Sequence, residues 1–133
     1  MKNFNAFYIS ILLILSSGCT NGQNTSQKTV LSPKEYSEKI DQLPNEAIID
    51  VRTPEEYSSG HLINAKNMNW NGGNFDAQIA TIDKSTPVFV YCAAGGRSAS
   101  AAKKMRSVGF KEVYDLSGGI IDWRKAKLPE TKN

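Results

Sequence analysis

Three observations predict an α/β domain built on a small, mostly parallel sheet with helices on both faces. Short unbroken apolar runs, Ala47 to Val51, Val88 to Tyr91 and Val113 to Leu116, read as buried strands. The stretches between them carry apolar residues at helical spacing. Strand and helix therefore alternate, and a parallel sheet covered on both sides is the economical way to connect them. At 133 residues the chain has room for one such domain. With 40% hydrophobic and 22% charged residues it can bury a core.

The domain is expected over residues 30–133. Ser32-Pro33-Lys34-Glu35 has the form of a capping box with proline at the first helical position, and Tyr36, Ile40 and Leu43 follow on one helix face. After the strand at Ala47, Thr53-Pro54-Glu55-Glu56-Tyr57 supplies an N-cap, a first-turn proline and acids where a helix dipole favours them. Gly60 ends that short helix, and Ala65 to Asn69 is a candidate small strand. A turn at Asn71-Gly72-Gly73-Asn74 leads to a helix over Phe75 to Ile82. Pro87 opens the next strand. A helix over Ser98 to Ser107 closes at Gly109, a strand runs from Val113 to Leu116, and a last helix covers Ile120 to Lys125.

The N-terminus is organised differently. Lys2 supplies positive charge, Ala6 to Leu15 is apolar apart from Ser10, and Ser16-Ser17-Gly18 places small residues before Cys19. This is the layout of an export signal over residues 1–18, too short for the about 20 residues that cross a bilayer. It resembles the signal of bacterial lipoproteins, which implies lipidation of Cys19, a polar tether over 19–29 and a membrane-anchored protein facing the periplasm or exterior. Cys92 would then be the one thiol of the mature chain. The net charge of +3 is mild and the basic residues are interspersed with acids, so no nucleic-acid partner is expected.

Cys92 lies where the apolar run Val88 to Tyr91 breaks into Ala93-Ala94-Gly95-Gly96-Arg97-Ser98. In parallel α/β sheets ligands bind beyond the carboxyl ends of strands, which is where this thiol falls. Small side chains at Ala93, Ala94, Gly95 and Gly96 let backbone amides approach a ligand, with both glycines free to take positive φ. Ser98 is a candidate cap for the following helix, and Arg97 offers a fixed charge and planar donors. Amides, helix end and guanidinium all favour thiolate over thiol and an anionic ligand. A small buried hydrophobe at a strand end is the competing reading of Cys92.

The segment Cys92-Ala-Ala-Gly-Gly-Arg-Ser98 resembles the Cys-x-x-Gly-x-Arg-Ser active loop of the rhodanese-like, single-domain sulfurtransferase family. Asp50-Val-Arg52-Thr-Pro-Glu-Glu56-Tyr57-Ser-Ser-Gly60-His61-Leu62-Ile-Asn-Ala65 resembles its upstream signature, and Gly118-Gly119-Ile-Ile-Asp-Trp123 with Leu128-Pro129 its closing one. Asn64 and Lys127 stand where the family usually has glycine, and Met68-Asn69 where an apolar-Pro pair often occurs. The resemblance implies a sheet of about five strands and a sulfurtransferase working through a Cys92 persulfide. Ala93 to Arg97 would bind a small anionic sulfur donor such as thiosulfate, and cyanide or a thiol would accept the sulfur. It implies no metal and no organic cofactor, and a monomer is expected.

Other residues have plainer expectations. Asp50 with Arg52, and Glu56, suit ion pairs bracing loops; His61 suits a structural hydrogen bond near a turn; Trp123 suits the core. Two rival functions stay open. One is a phosphatase or arsenate reductase of related fold, whose loops carry one residue more between Cys and Arg than the four here. The other is a non-catalytic module, which has no need of Cys92, both glycines and Arg97 together.

Overall fold

The computed structural model describes residues 27–132. The expected export signal over residues 1–18, Cys19 and most of the expected tether lie outside them. Among the described residues no helix is long and apolar enough to cross a membrane.

The chain runs β1 (Val30–Leu31), α1 (Pro33–Gln42), β2 (Ala47–Asp50), α2 (Pro54–Ser58), β3 (His61–Leu62), β4 (Lys66–Asn67), α3 (Phe75–Ile79), β5 (Val88–Tyr91), α4 (Gly96–Ser107), β6 (Val113–Leu116), α5 (Gly119–Lys125) and β7 (Glu130–Thr131). Five strands form one parallel sheet in the order β1-β6-β5-β2-β4, as the alternation of strand and helix implies. A small antiparallel pair, β3 with β7, was not foreseen, because two-residue strands carry no period to read. The domain also starts earlier than expected. The Thr29 carbonyl accepts the Asp115 amide at 2.8 Å, and Lys28 pairs with Glu35 at 2.7 Å, so the last residues assigned to the tether dock on the fold.

Sheet alternation divides the core in two. Ile49, Val88, Val90 and Val113 pack on one face with Phe75 and Ile79 of α3 and Ala101, Ala102 and Met105 of α4. Ile48, Phe89, Tyr91 and Tyr114 pack on the other with Tyr36 of α1 and Ile120 and Trp123 of α5. Helices thus cover both faces, and each large apolar side chain so buried contributes about 1.5–3 kcal/mol. β5 is wholly buried because it lies in the middle of the sheet and meets helices on both sides.

Both N-terminal boxes form. Ser32 and Glu35 exchange hydrogen bonds at α1, and Thr53 and Glu56 at α2, each followed by proline. α3 ends at Ile79 rather than Ile82, while α4 and α5 begin at Gly96 and Gly119, ahead of the expected starts. Asn64 and Lys127 have φ of 64° and 57°. Left-handed backbone is therefore what these two positions demand, and it explains why glycine is usual there in similar sequences.

Candidate active site

Cys92 follows β5 directly and is 1% exposed. Its sulfur accepts the Gly95 amide at 3.0 Å and lies 3.5 Å from the Ser98 hydroxyl. Burial pushes the thiol pKa up. The hydrogen bonds from the Ser98 hydroxyl and from the Ser98, Gly95 and Ala94 amides outweigh burial and bring it below the ordinary value. The loop is thus a ring of donors closed on one sulfur.

Two expectations for this loop need correction. Ser98 is not the helix cap. α4 begins at Gly96, with Gly95 at the cap position in left-handed geometry, so Ser98 sits in the first turn and donates back to the Gly95 carbonyl at 3.2 Å. The cap position itself has no side-chain hydrogen bond. Of the two loop glycines only Gly95 has positive φ, at 112°, whereas Gly96 is the first helical residue. The left-handed turn at Gly95 swings the helix end towards the sulfur.

Arg97 does not bond the sulfur. Its guanidinium grips Glu56 in two bonds of 2.7 and 2.9 Å, and Glu56 Oε2 also accepts the Thr53 amide at 3.0 Å. Arg97 raises its own pKa chiefly through Glu56, with the charge of Cys92 a lesser contribution. Conversely, the Arg97 hydrogen bond holds the Glu56 carboxyl at about 2. The pair clamps the active loop to the start of α2.

A second clamp comes from α5. The Ile120 and Ile121 amides donate to the Cys92 and Ala93 carbonyls at 2.9 and 3.2 Å. Gly119 is the contact that allows it, because a Cβ there would meet both carbonyls. Beneath the upstream signature Arg52 and Asp50 form a buried ion pair, Nη2 to Oδ2 at 2.6 Å, and Arg52 also donates to the Gly60 carbonyl at 2.7 Å. His61 is buried, stacks on Tyr57 at 3.7 Å, and has Nδ1 2.9 Å from the Tyr57 carbonyl. Trp123 is core, its Nε1 donating to Pro129. A separate cleft of about 210 Å³ among Ser37, Ile40, Ile63, Asn64, Trp123 and Pro129 does not reach the Cys92 loop.

Sequence reading passed over Asp115. It is 5% exposed at the end of β6, where the only signal is an acid inside an apolar run. Its Oδ1 has no hydrogen-bond partner among the described residues, and burial raises its pKa.

Comparison with known families decides the class: residues 32–126 match the rhodanese-like domain. The chain belongs to that family. A thiosulfate sulfurtransferase, GlpE, of Pseudomonas putida is 30% identical over 100 residues, 74% of this chain and 88% of that protein. An adenylyltransferase and sulfurtransferase of Debaryomyces hansenii is 37% identical over 112 residues, 75% of this chain. The chain spans only 25% of that larger protein's length. Among solved structures, a polysulfide-sulfur transferase homodimer from Wolinella succinogenes superposes with TM-score 0.67 at 33% identity, covering 79% of each chain. A rhodanese-related protein of Thermoplasma volcanium gives TM-score 0.70 at 24% identity over 80% of this chain and 100% of its own, a likeness of fold. The α/β rhodanese fold is thereby shown.

Proposed function

We propose that this rhodanese-like chain is a sulfurtransferase that carries sulfane sulfur on Cys92, from a small anionic donor such as thiosulfate to cyanide or a thiol. The observation that carries this reading is the donor-ringed sulfur at the start of α4, held below the ordinary thiol pKa despite burial. The names of similar proteins, thiosulfate sulfurtransferase and polysulfide-sulfur transferase, support it.

The Cys92 thiolate attacks the outer sulfur of thiosulfate. The bond from that sulfur to the sulfite sulfur breaks, sulfite leaves with the electron pair, and a Cys92 persulfide anion remains. The Ala94, Gly95 and Ser98 amides then bond the added negative sulfur as they bond the thiolate. Cyanide or a thiolate attacks the terminal sulfur, and its bond to Cys92 breaks to restore the thiolate. Arg97, held by Glu56, adds positive charge at the loop and must share its donors with any anion that binds. Export and lipidation at Cys19 would place this chemistry on a membrane surface facing the periplasm or exterior.

Intact-mass measurement after thiosulfate treatment tests the reading. Protein starting near Ser26 is expected to gain one sulfur atom, lose it to cyanide, and gain none as Cys92→Ser. Wild-type protein that takes up no sulfur from thiosulfate, polysulfide or mercaptopyruvate is a binding module instead.

A further inference from the structure

Arg97 stands in the first turn of α4 and Glu56 in the first turn of α2, so their pair bridges two helix starts beside Cys92. Guanidinium N–H groups go to both Glu56 oxygens, at 2.7 and 2.9 Å, and the Thr53 amide fixes Oε2 at 3.0 Å. The carboxylate is thus held against Arg97 from two sides. Arg97 keeps its remaining N–H groups as donors, yet an opposite charge in contact with it matches its own. The other charges that act on it are those of Cys92 and Asp50, and Asp50 is matched by Arg52 at 2.6 Å. The loop therefore offers amides to one charged sulfur, and at Arg97 donors with little net charge. Apolar surface flanks it. Ala94 is exposed, and Ile121, 46% exposed, bonds the Ala93 carbonyl through its amide.

We propose that Glu56 is a specificity-determining residue: by cancelling the charge of Arg97 it turns the site away from dianionic sulfur donors and towards donors with one negative charge and an organic substituent, such as thiosulfonates and organic persulfides. The donor class rests on Cys92 being a sulfur carrier. A dianion beside the Cys92 thiolate meets stronger repulsion than a monoanion does, and only an unmatched cation would offset the difference. Arg97 paired with Glu56 is not such a cation. Discrimination then comes from what the site withholds from the dianion rather than from an added contact to the monoanion. The chemical step is the same for both classes. The thiolate attacks the outer sulfur of a thiosulfonate, the bond from that sulfur to the sulfonyl sulfur breaks, and a sulfinate leaves with the electron pair where thiosulfate would release sulfite. A Cys92 persulfide anion remains in either case.

The test uses two reagent pairs whose members differ by one negative charge, at low salt, in wild type, Glu56→Gln, Arg97→Ala and the double variant. Thiosulfate is compared with methanethiosulfonate by kcat/KM with cyanide as acceptor, and iodoacetate with iodoacetamide by the rate of Cys92 alkylation. Glu56→Gln is expected to raise both ratios, more charged over less charged, by about 3- to 10-fold, and Arg97→Ala to lower them by as much. The double variant restores the balance of charge, so its ratios are expected within about twofold of wild type. Ratios unmoved by Glu56→Gln make Glu56 a clamp alone and overturn the proposal. A double variant that behaves as Arg97→Ala overturns it too, because the Arg97 donors and not the charge balance would then select the donor. Should Glu56→Gln fail to fold, Arg97→Ala against wild type still decides: lowered ratios sustain the charge account and unmoved ones overturn it. Alkylation needs no sulfur donor, so a chain that takes up no sulfur but shows the shifted alkylation ratios sinks the proposed function and leaves the charge role of Glu56 standing.

Discussion

A Cβ on Gly119 would sit 2.5 Å from the Cys92 carbonyl oxygen. No backbone in a packed loop tolerates that distance, and φ at Gly119 is +59°, so Gly119→Ala is strained twice. The substitution is expected to push α5 off the active loop, costing about 2–4 kcal/mol by urea denaturation and raising the Cys92 pKa as the amide ring opens. Gly96→Ala is the contrast. A Cβ there meets nothing, and the helical conformation suits alanine, so stability is expected to hold or rise by up to about 1 kcal/mol.

The Asp50–Arg52 pair is 0% and 3% exposed, and removing one partner leaves the other charged and buried. Arg52→Ala is expected to cost about 3–5 kcal/mol, measured as a lowered denaturant midpoint. It also severs the bond to Gly60 that ties the end of β2 to the end of α2. A loss below about 1 kcal/mol would place this pair among ordinary surface pairs.

Glu56 sets an acid limit. Its folded pKa of about 2 is below the ordinary 4.5, so its contribution to stability is fully present above 4.5 and is lost as pH falls towards about 2. The pair is about a third exposed, which limits the contribution to about 1 kcal/mol or less. Glu56→Gln keeps a capping-box residue and removes the charge. Its stability is expected to match wild type near pH 2 and fall behind it above pH 4.5, in thermal melts across that range.

Long or strongly patterned segments were legible in the sequence and short ones were not. Val88 to Tyr91 and Val113 to Leu116 read as strands because each is a continuous apolar run, and the Ser32–Glu35 box announced α1 by spacing alone. β1, β3 and β7 escaped because two residues show no period. At the site, Cys92 and its glycine turn were readable from residue types. The Ser98 position was misread because a serine before an alanine-rich helix looks like a cap, while the left-handed turn at Gly95 starts the helix three residues earlier than a Ser98 cap allows. Glu56 was expected in an ion pair, but not its partner, which lies 41 residues away.

Lys127 holds a lysine backbone at φ 57°, where an L-residue costs about 1–2 kcal/mol relative to right-handed geometry. Part of that returns as lower chain entropy in the unfolded state, since glycine is the more flexible residue there. Lys127→Gly is therefore expected to stabilise by about 0.5–1 kcal/mol, visible as a higher thermal midpoint, with sulfur uptake at Cys92 unchanged. Destabilisation would mean that the lysine stem makes packing contacts worth more than the strain.

Arg97 divides folding from chemistry. Its side chain is 27% exposed and its partner Glu56 34%, so Arg97→Ala is expected to cost only about 0–1 kcal/mol of stability. The loss of charge at the loop should act on the donor instead. An anion entering the ring meets one cation fewer, and Glu56, released from its partner, adds an uncompensated negative charge beside it. KM for thiosulfate is therefore expected to rise about tenfold or more, while kcat falls less, because the amides that hold the sulfur come from the backbone and stay in place. Glu56→Gln separates the two contributions. It frees the Arg97 donors and removes the repelling charge, so it should lower KM where Arg97→Ala raises it. Equal loss of activity at low and saturating thiosulfate in Arg97→Ala would instead make the guanidinium a stabiliser of the transition state alone.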